Sequence, residues 1–171
     1  MHKPKNIFLI GLMGTGKTTV GRQLSRKLKM DFYDSDRVIE ERTGADIPLI
    51  FEKEGETGFR TREAAIIDEL TQKKNIVLAT GGGAILNAEN RNHLVNRGTV
   101  FYLKSNLKTL LERTSKDKNR PLLHANEPVE SILKRLLEQR GPLYEETADY
   151  IIETANNSIH SVIQAIIKHL E

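Results

Sequence analysis

The chain alternates short, nearly all-apolar runs with longer stretches of helical period. The runs are Ile7–Ile10 (IFLI), 75–79 (NIVLA), 100–103 (VFYL) and 150–152 (YII), with Phe32 and Tyr33 as a weaker fifth. Runs that are apolar throughout, not alternating, suit strands buried on both faces, as in a parallel sheet covered by helices. Between them, Val20, Leu24 and Leu28 fall at i, i+4 and i+8, and Ala64, Ile67 and Leu70 extend a helix opened near Phe59. Leu107, Leu110 and Leu111 form one short face, and Ile132, Leu133, Leu136 and Leu137 another. Ile159, Val162, Ile163, Ile166 and Ile167 form the last. Gly44 and Gly98 stand where helices should stop. The alternation predicts an α/β fold, a three-layer α/β/α sandwich. There is no internal repeat and no Ser/Gly linker, so residues 1–171 read as one domain. Residues 114–126 (TSKDKNRPLLHAN) are polar, charged and interrupted by Pro121; they read as a long functional loop.

Composition narrows the chemistry by exclusion. With 38% apolar and 29% charged residues, the chain is globular in type, not disordered. It has no cysteine, which removes disulfides, thiolate nucleophiles and Cys-ligated zinc or iron–sulfur centres. No uninterrupted aliphatic or aromatic run is longer than the four residues of Ile7–Ile10, far short of the roughly 20 residues of a spanning helix. The opening MHKPKN is basic, without the apolar core of a signal peptide, and a cytoplasmic location is expected. Lys and Arg number 26 against 23 Asp and Glu, a net charge of +3. That surplus does not choose between nucleic acid, an acidic lipid surface and a small anion.

The first strand runs into Gly11-Leu12-Met13-Gly14-Thr15-Gly16-Lys17-Thr18, ahead of a helix. This is G-x-x-x-x-G-K-[ST] in its strand–loop–helix setting. Glycines let several backbone N–H groups converge on one anion, and the helix adds the positive end of its dipole. Lys17 supplies a movable charge for the outer phosphates and Thr18 a hydroxyl for Mg²⁺. The alternative, a chance glycine turn, does not account for the whole pattern.

In an open parallel sheet, ligands gather at the carboxyl ends of the strands. Asp34-Ser35-Asp36 follows the Phe32-Tyr33 run. One carboxylate can face Mg²⁺, directly or through water, and the other can accept a proton from a hydroxyl. Equally, Ser35 or Asp36 could simply cap the next helix. Arg60, in GETGFRTRE, sits at a helix start, where the dipole disfavours a cation; either it faces an anion, or it is a surface arginine paired with Glu56 or Glu63. Thr80-Gly81-Gly82-Gly83 ends the third run, and three glycines allow close backbone approach to a ligand, where a tight turn would need one. Arg113, Lys116, Lys118 and Arg120 lie in or just before the long loop and are either lid cations or a solvated surface. Arg140-Gly141-Pro142 is expected to break a helix and hold Arg140 as a fixed planar donor for a carboxylate.

Taken in order and spacing, GLMGTGKT, DSD, GETGFR, TGGG, NRPLL and RGPLY resemble shikimate kinases, over nearly the whole chain from about Asn6 to Ala165. The resemblance implies a P-loop fold of the nucleoside-monophosphate-kinase type, with a five-stranded parallel sheet in order 2-3-1-4-5. It implies transfer of a phosphoryl group from ATP to the 3-hydroxyl of shikimate, in the route to chorismate and aromatic amino acids. It further implies an acceptor-binding segment at about 35–62 and a lid at about 114–126. Asp36, Arg60, Gly82 and Arg140 would hold shikimate, the two arginines on its carboxylate and Asp36 on ring hydroxyls, as base or positioning group. Gly14, Thr15, Gly16, Lys17, Thr18 and Thr19 would bind ATP, with Arg113, Arg120 and Asn156. Lys17 and Arg120 would touch the phosphates, while Arg113 and the turn holding Asn156 would flank adenine. One Mg²⁺ per subunit would rest on Thr18 and, through water, Asp34. The expected partners are shikimate and ATP, with no nucleic acid and no membrane, and the chain would act as a monomer. The rivals are a gluconate kinase of the same fold and a nucleic-acid-binding P-loop module. The second would need exposed aromatics for stacking. The chain has no tryptophan, and Phe8, Phe32, Tyr33, Phe101 and Tyr102 fall on expected strands.

Overall fold

The computed structural model describes residues 5–114 and 127–171. Five strands form one parallel sheet: β1 (Ile7–Ile10), β2 (Asp31–Asp34), β3 (Ile76–Ala79), β4 (Thr99–Lys104) and β5 (Tyr150–Glu153). Their order is β2-β3-β1-β4-β5, as the family pattern implied. Register is fixed by pairs such as Phe8 with Leu78 and Leu9 with Phe101. Because side chains alternate along a strand, Phe8 and Ile10 enter one apolar cluster and Ile7 and Leu9 the other. β1 and β3 are buried at every position, which is why they read as unbroken apolar runs.

Helices α1 (Lys17–Leu28) and α7 (Ile159–Leu170) cover one face. The other face carries α2 (Ser35–Thr43), α3 (Ile47–Thr71), α4 (Ala88–Arg97), α5 (Leu107–Thr114) and α6 (Val129–Thr147). A short 3₁₀ segment, Gly82–Leu86, follows β3. The first leg of α3, capped by Asp46, has no clear periodic signal. Gly55, at φ 71°, then bends α3, so Arg60 lies near the start of its second leg, as expected. Gly44 ends α2 in the left-handed region. Gly98 ends α4 for a different reason: its φ of −174° suits any residue, but a Cβ there would lie 2.7 Å from the Phe8 ring and 2.9 Å from the Asn6 carbonyl.

The Gly141-Pro142 step does not break the chain. Helix α6 runs through it, with Pro142 inside. An interior proline costs about 3 kcal/mol. Ile132, Leu133, Leu136 and Tyr144 form a buried stripe on this helix, and burial of such side chains contributes roughly 1.5–3 kcal/mol each. Packing therefore outweighs the local penalty. The 114–126 loop, apart from Thr114 at the end of α5, lies outside the described residues. Among the described residues, no helix is long and apolar enough to cross a membrane.

Candidate active site

The β1–α1 loop is a cradle of backbone. Gly14 and Gly16 take φ of 83° and 90°, a region that a Cβ disfavours. Gly16 caps α1 without a side-chain hydrogen bond, so the first N–H groups of the helix are left for an anion. Lys17 is buried, and its Nζ donates to the carbonyls of Gly11 (2.6 Å) and Leu12 (2.8 Å). Thr15 Oγ1 donates to the Leu12 carbonyl at 2.9 Å. Arg113 lies over the loop, donating from Nη1 to the Gly14 carbonyl at 3.0 Å, and lines the outer pocket with Thr18, Thr19 and Ile159. Asn156 is exposed at φ 61° in the turn between β5 and α7 and is not among the lining residues of this pocket. Arg120, with Lys116 and Lys118, lies outside the described residues.

At the end of β2, the capping expected of DSD occurs, on a different residue from those expected. The cap of α2 is Asp34, not Ser35 or Asp36. Its Oδ1 accepts from the backbone N–H of Asp36 (3.0 Å) and Arg37 (3.3 Å). Its Oδ2 accepts from Thr18 Oγ1 at 2.6 Å. Two hard oxygen donors thus meet beside the cradle, the donor type that Mg²⁺ prefers. With Asp34 as the cap, Asp36 faces the cleft, which it lines with Met13, Lys17, Thr18, Gly81 and Gly82. Ser35 is fully buried, and its Oγ accepts from the Gly81 N–H at 2.9 Å, tying the ends of β2 and β3 together.

The three glycines seat three groups of side chains. A Cβ on Gly81 would lie 2.5 Å from Asp36 Oδ1 and 3.0 Å from Glu63 Oε2. On Gly82 it would lie 3.6 Å from Arg140 Nη1, and on Gly83 only 2.2 Å from Arg60 Nη2. None of the three glycines has a positive φ, so backbone conformation does not require them; space does at Gly81 and Gly83, while a Cβ on Gly82 would make only ordinary contacts. Asp36, Arg60 and Arg140 thereby gather on one stretch of backbone beside the cradle.

Arg60 is in part the surface residue of the bland reading and in part not. Its Nη2 donates to exposed Glu56 at 3.3 Å, and it lines the adjoining groove with Thr57, Leu86 and Asn87. Its Nη1 donates to Glu63 at 2.9 Å, and Glu63 is only 1% exposed. Burial pushes the Glu63 carboxyl up to about 7, against the pull of Arg60 and with added repulsion from Asp36. Arg140 is 2% exposed. Burial lowers its pKa, and the like charge of Arg60 adds to this. Among the described residues, Arg140 makes no ion pair within 4.0 Å. A buried guanidinium without an ion pair, next to a second guanidinium that is only partly matched by a carboxylate raised toward neutrality, favours an anion beside it.

Glu63 is the residue whose importance the sequence hid. It shares a helical face with Phe59, Ile66, Ile67 and Leu70, all buried. A lone acid on an apolar stripe was the available signal. Since its folded pKa is raised, the folded state holds the extra proton between about pH 4.5 and 7, and this contribution to stability is lost as pH rises through that window. Glu63→Gln should therefore gain stability relative to the parent between pH 4.5 and 7, read by urea unfolding at a series of pH values. Parallel pH profiles would contradict the assignment.

Comparison with known proteins shows the family. The family model for shikimate kinase matches residues 13–171. The shikimate kinase of Legionella pneumophila is 56% identical over 168 residues, covering 98% of this chain and 95% of the relative. That of Vibrio parahaemolyticus is 53% identical over 171 residues, covering 100% and 99%. The solved shikimate kinase from Acinetobacter baumannii in complex with shikimate superposes with a TM-score of 0.94 at 53% identity, covering 98% of this chain and 93% of that one. A gluconokinase from Sinorhizobium meliloti, at 15% identity and a TM-score of 0.59, shares the fold alone. The chain belongs to the shikimate kinase family.

Proposed function

We propose that the chain, acting as one kinase domain, transfers the γ-phosphoryl group of ATP to the 3-hydroxyl of shikimate, releasing shikimate 3-phosphate and ADP. The observation that carries this reading is the convergence of Asp36, Arg60 and Arg140 on Gly81–Gly83, next to the phosphate cradle. A hydroxyl-bearing carboxylate acid is the acceptor that fits one carboxylate and two arginines.

Phosphoryl transfer asks mainly for positioning and charge neutralisation. The backbone of Gly14, Thr15 and Gly16 and the first amides of α1, at Thr18 and Thr19, receive the phosphates. Lys17 exchanges its two carbonyl partners for phosphate oxygens. Arg113, resting on the Gly14 carbonyl, and the turn with Asn156 border the nucleoside, and Arg120 would touch the phosphates. Arg60 and Arg140 take the acceptor carboxylate, and Gly82 offers its backbone at the cleft. Asp36 accepts a hydrogen bond from the attacking hydroxyl and holds its oxygen toward the γ-phosphorus. Thr18 and Asp34 would hold one Mg²⁺, Asp34 through water, and the ion would neutralise charge on the phosphates when bound.

An acceptor panel read by ADP release tests the reading, with activity on shikimate and none on gluconate expected. Asp36→Asn should lower turnover by about 100-fold or more while ADP still binds; near-normal turnover would remove Asp36 from the chemistry. Arg60→Ala should raise the KM for shikimate roughly tenfold or more and the KM for ATP far less. Equal effects on the two substrates would count against a carboxylate contact.

A further inference from the structure

One buried polar group touches both halves of the acceptor site without a role so far. Tyr144 lies four residues beyond Arg140 on α6, so the two side chains leave the same helical face. It is 1% exposed. Its ring stacks on Tyr102 of β4, with centroids 5.0 Å apart and planes at 29°. Its hydroxyl donates to the Gly82 carbonyl at 2.5 Å. The phenol oxygen also contacts the Arg140 guanidinium, whose Nη1 lies 3.6 Å from where a Cβ on Gly82 would stand.

A hydroxyl has one proton and two lone pairs. With the proton committed to Gly82, the lone pairs are left to receive Arg140. Burial lifts the phenol well above its ordinary pKa, so the donor stays a donor. Arg140 needs such an anchor. Among the described residues its Nε has no hydrogen-bond partner, and Arg60 repels it. Two-point recognition of a carboxylate requires that the guanidinium plane be fixed. The same Gly82 position lies 3.5 Å from the Met13 backbone nitrogen and 3.6 Å from the Gly11 carbonyl. One peptide therefore sits between the phosphate cradle and the acceptor arginine.

We propose that Tyr144 is a positioning residue for acceptor binding: its hydroxyl sets the plane of Arg140 against the Gly82 peptide, aiming the guanidinium at the acceptor carboxylate. This rests on the assignment of Arg140 to that carboxylate.

Tyr144→Phe keeps the ring and its stacking and removes one oxygen. The KM for shikimate should rise about tenfold, and the KM for ATP should change by less than about twofold. A second acceptor isolates the carboxylate: with the shikimate analogue bearing a hydroxymethyl group in its place, parent and variant should differ by less than about twofold in kcat/KM. An unchanged KM for shikimate overturns the proposal. So does an equal loss on both acceptors, or a matching rise in the KM for ATP, because those report general loosening. Arg140→Ala separates the two layers. If it raises the KM for shikimate while Tyr144→Phe does not, only the positioning role fails; if neither does, the carboxylate assignment fails with it. Should Tyr144→Phe not fold, 3-fluorotyrosine at 144 keeps ring and hydroxyl and weakens the oxygen as an acceptor. It should raise the KM for shikimate and spare that for ATP, and an unchanged KM overturns the proposal.

Discussion

The acceptor half of the site depends on one constraint: the backbone after β3 carries no side chains for three residues. Gly81, Gly82 and Gly83 leave room on which Asp36 and Glu63, then Arg140, then Arg60 come to rest. Their conformations are open to other residues, so conformational freedom does not account for the run. A Cβ at Gly81 or Gly83 would meet the end of a functional side chain and push it away. Such ends are flexible, so the cost would fall on the placement of the charges more than on the fold. Ser35 and Tyr144 hold this stretch from either side, through the Gly81 N–H and the Gly82 carbonyl. The sheet order places it between the ends of β2 and β1, beside the cradle.

The charges around Gly81–Gly83 favour an anion beside Arg140. Arg60 is shared between exposed Glu56 and buried Glu63, while Arg140 is enclosed with a neutral phenol as neighbour. A carboxylate near pKa 7 beside Arg60 is a modulated counter-charge, compatible with either protonation state around neutrality. On the nucleotide side, Lys17 and Arg113 rest on carbonyls of the cradle, weak partners that phosphate oxygens can replace. The small net positive charge of the chain thus matters through its placement.

Most of the fold was legible because burial on both faces leaves unbroken apolar runs, as in β1 and β3. The cradle was legible because its chemistry is local in sequence. What escaped was set by long-range packing. Pro142 reads as a break, yet a stripe including Leu133 and Tyr144 keeps α6 continuous. Asp34 caps α2 because β2 ends there, one residue before the first of the two positions expected for a cap. Glu63 looks like a surface partner for Arg60 until the second leg of α3 is docked with Phe59 and Ile67 inward. The glycine run was visible, but its reason was not: the expected guest was a ligand, and the first guests are the protein's own charged side chains.

The central claim is that bare backbone at these glycines places the acceptor's binding groups. Calorimetric titration of Gly83→Ala with shikimate and, separately, with ADP tests it most directly. A Cβ there would stand 2.2 Å from Arg60 Nη2, so the guanidinium must swing away. The account predicts that shikimate affinity falls about tenfold or more while ADP affinity stays within about twofold and the melting temperature barely moves. Shikimate affinity equal to that of the parent would contradict it.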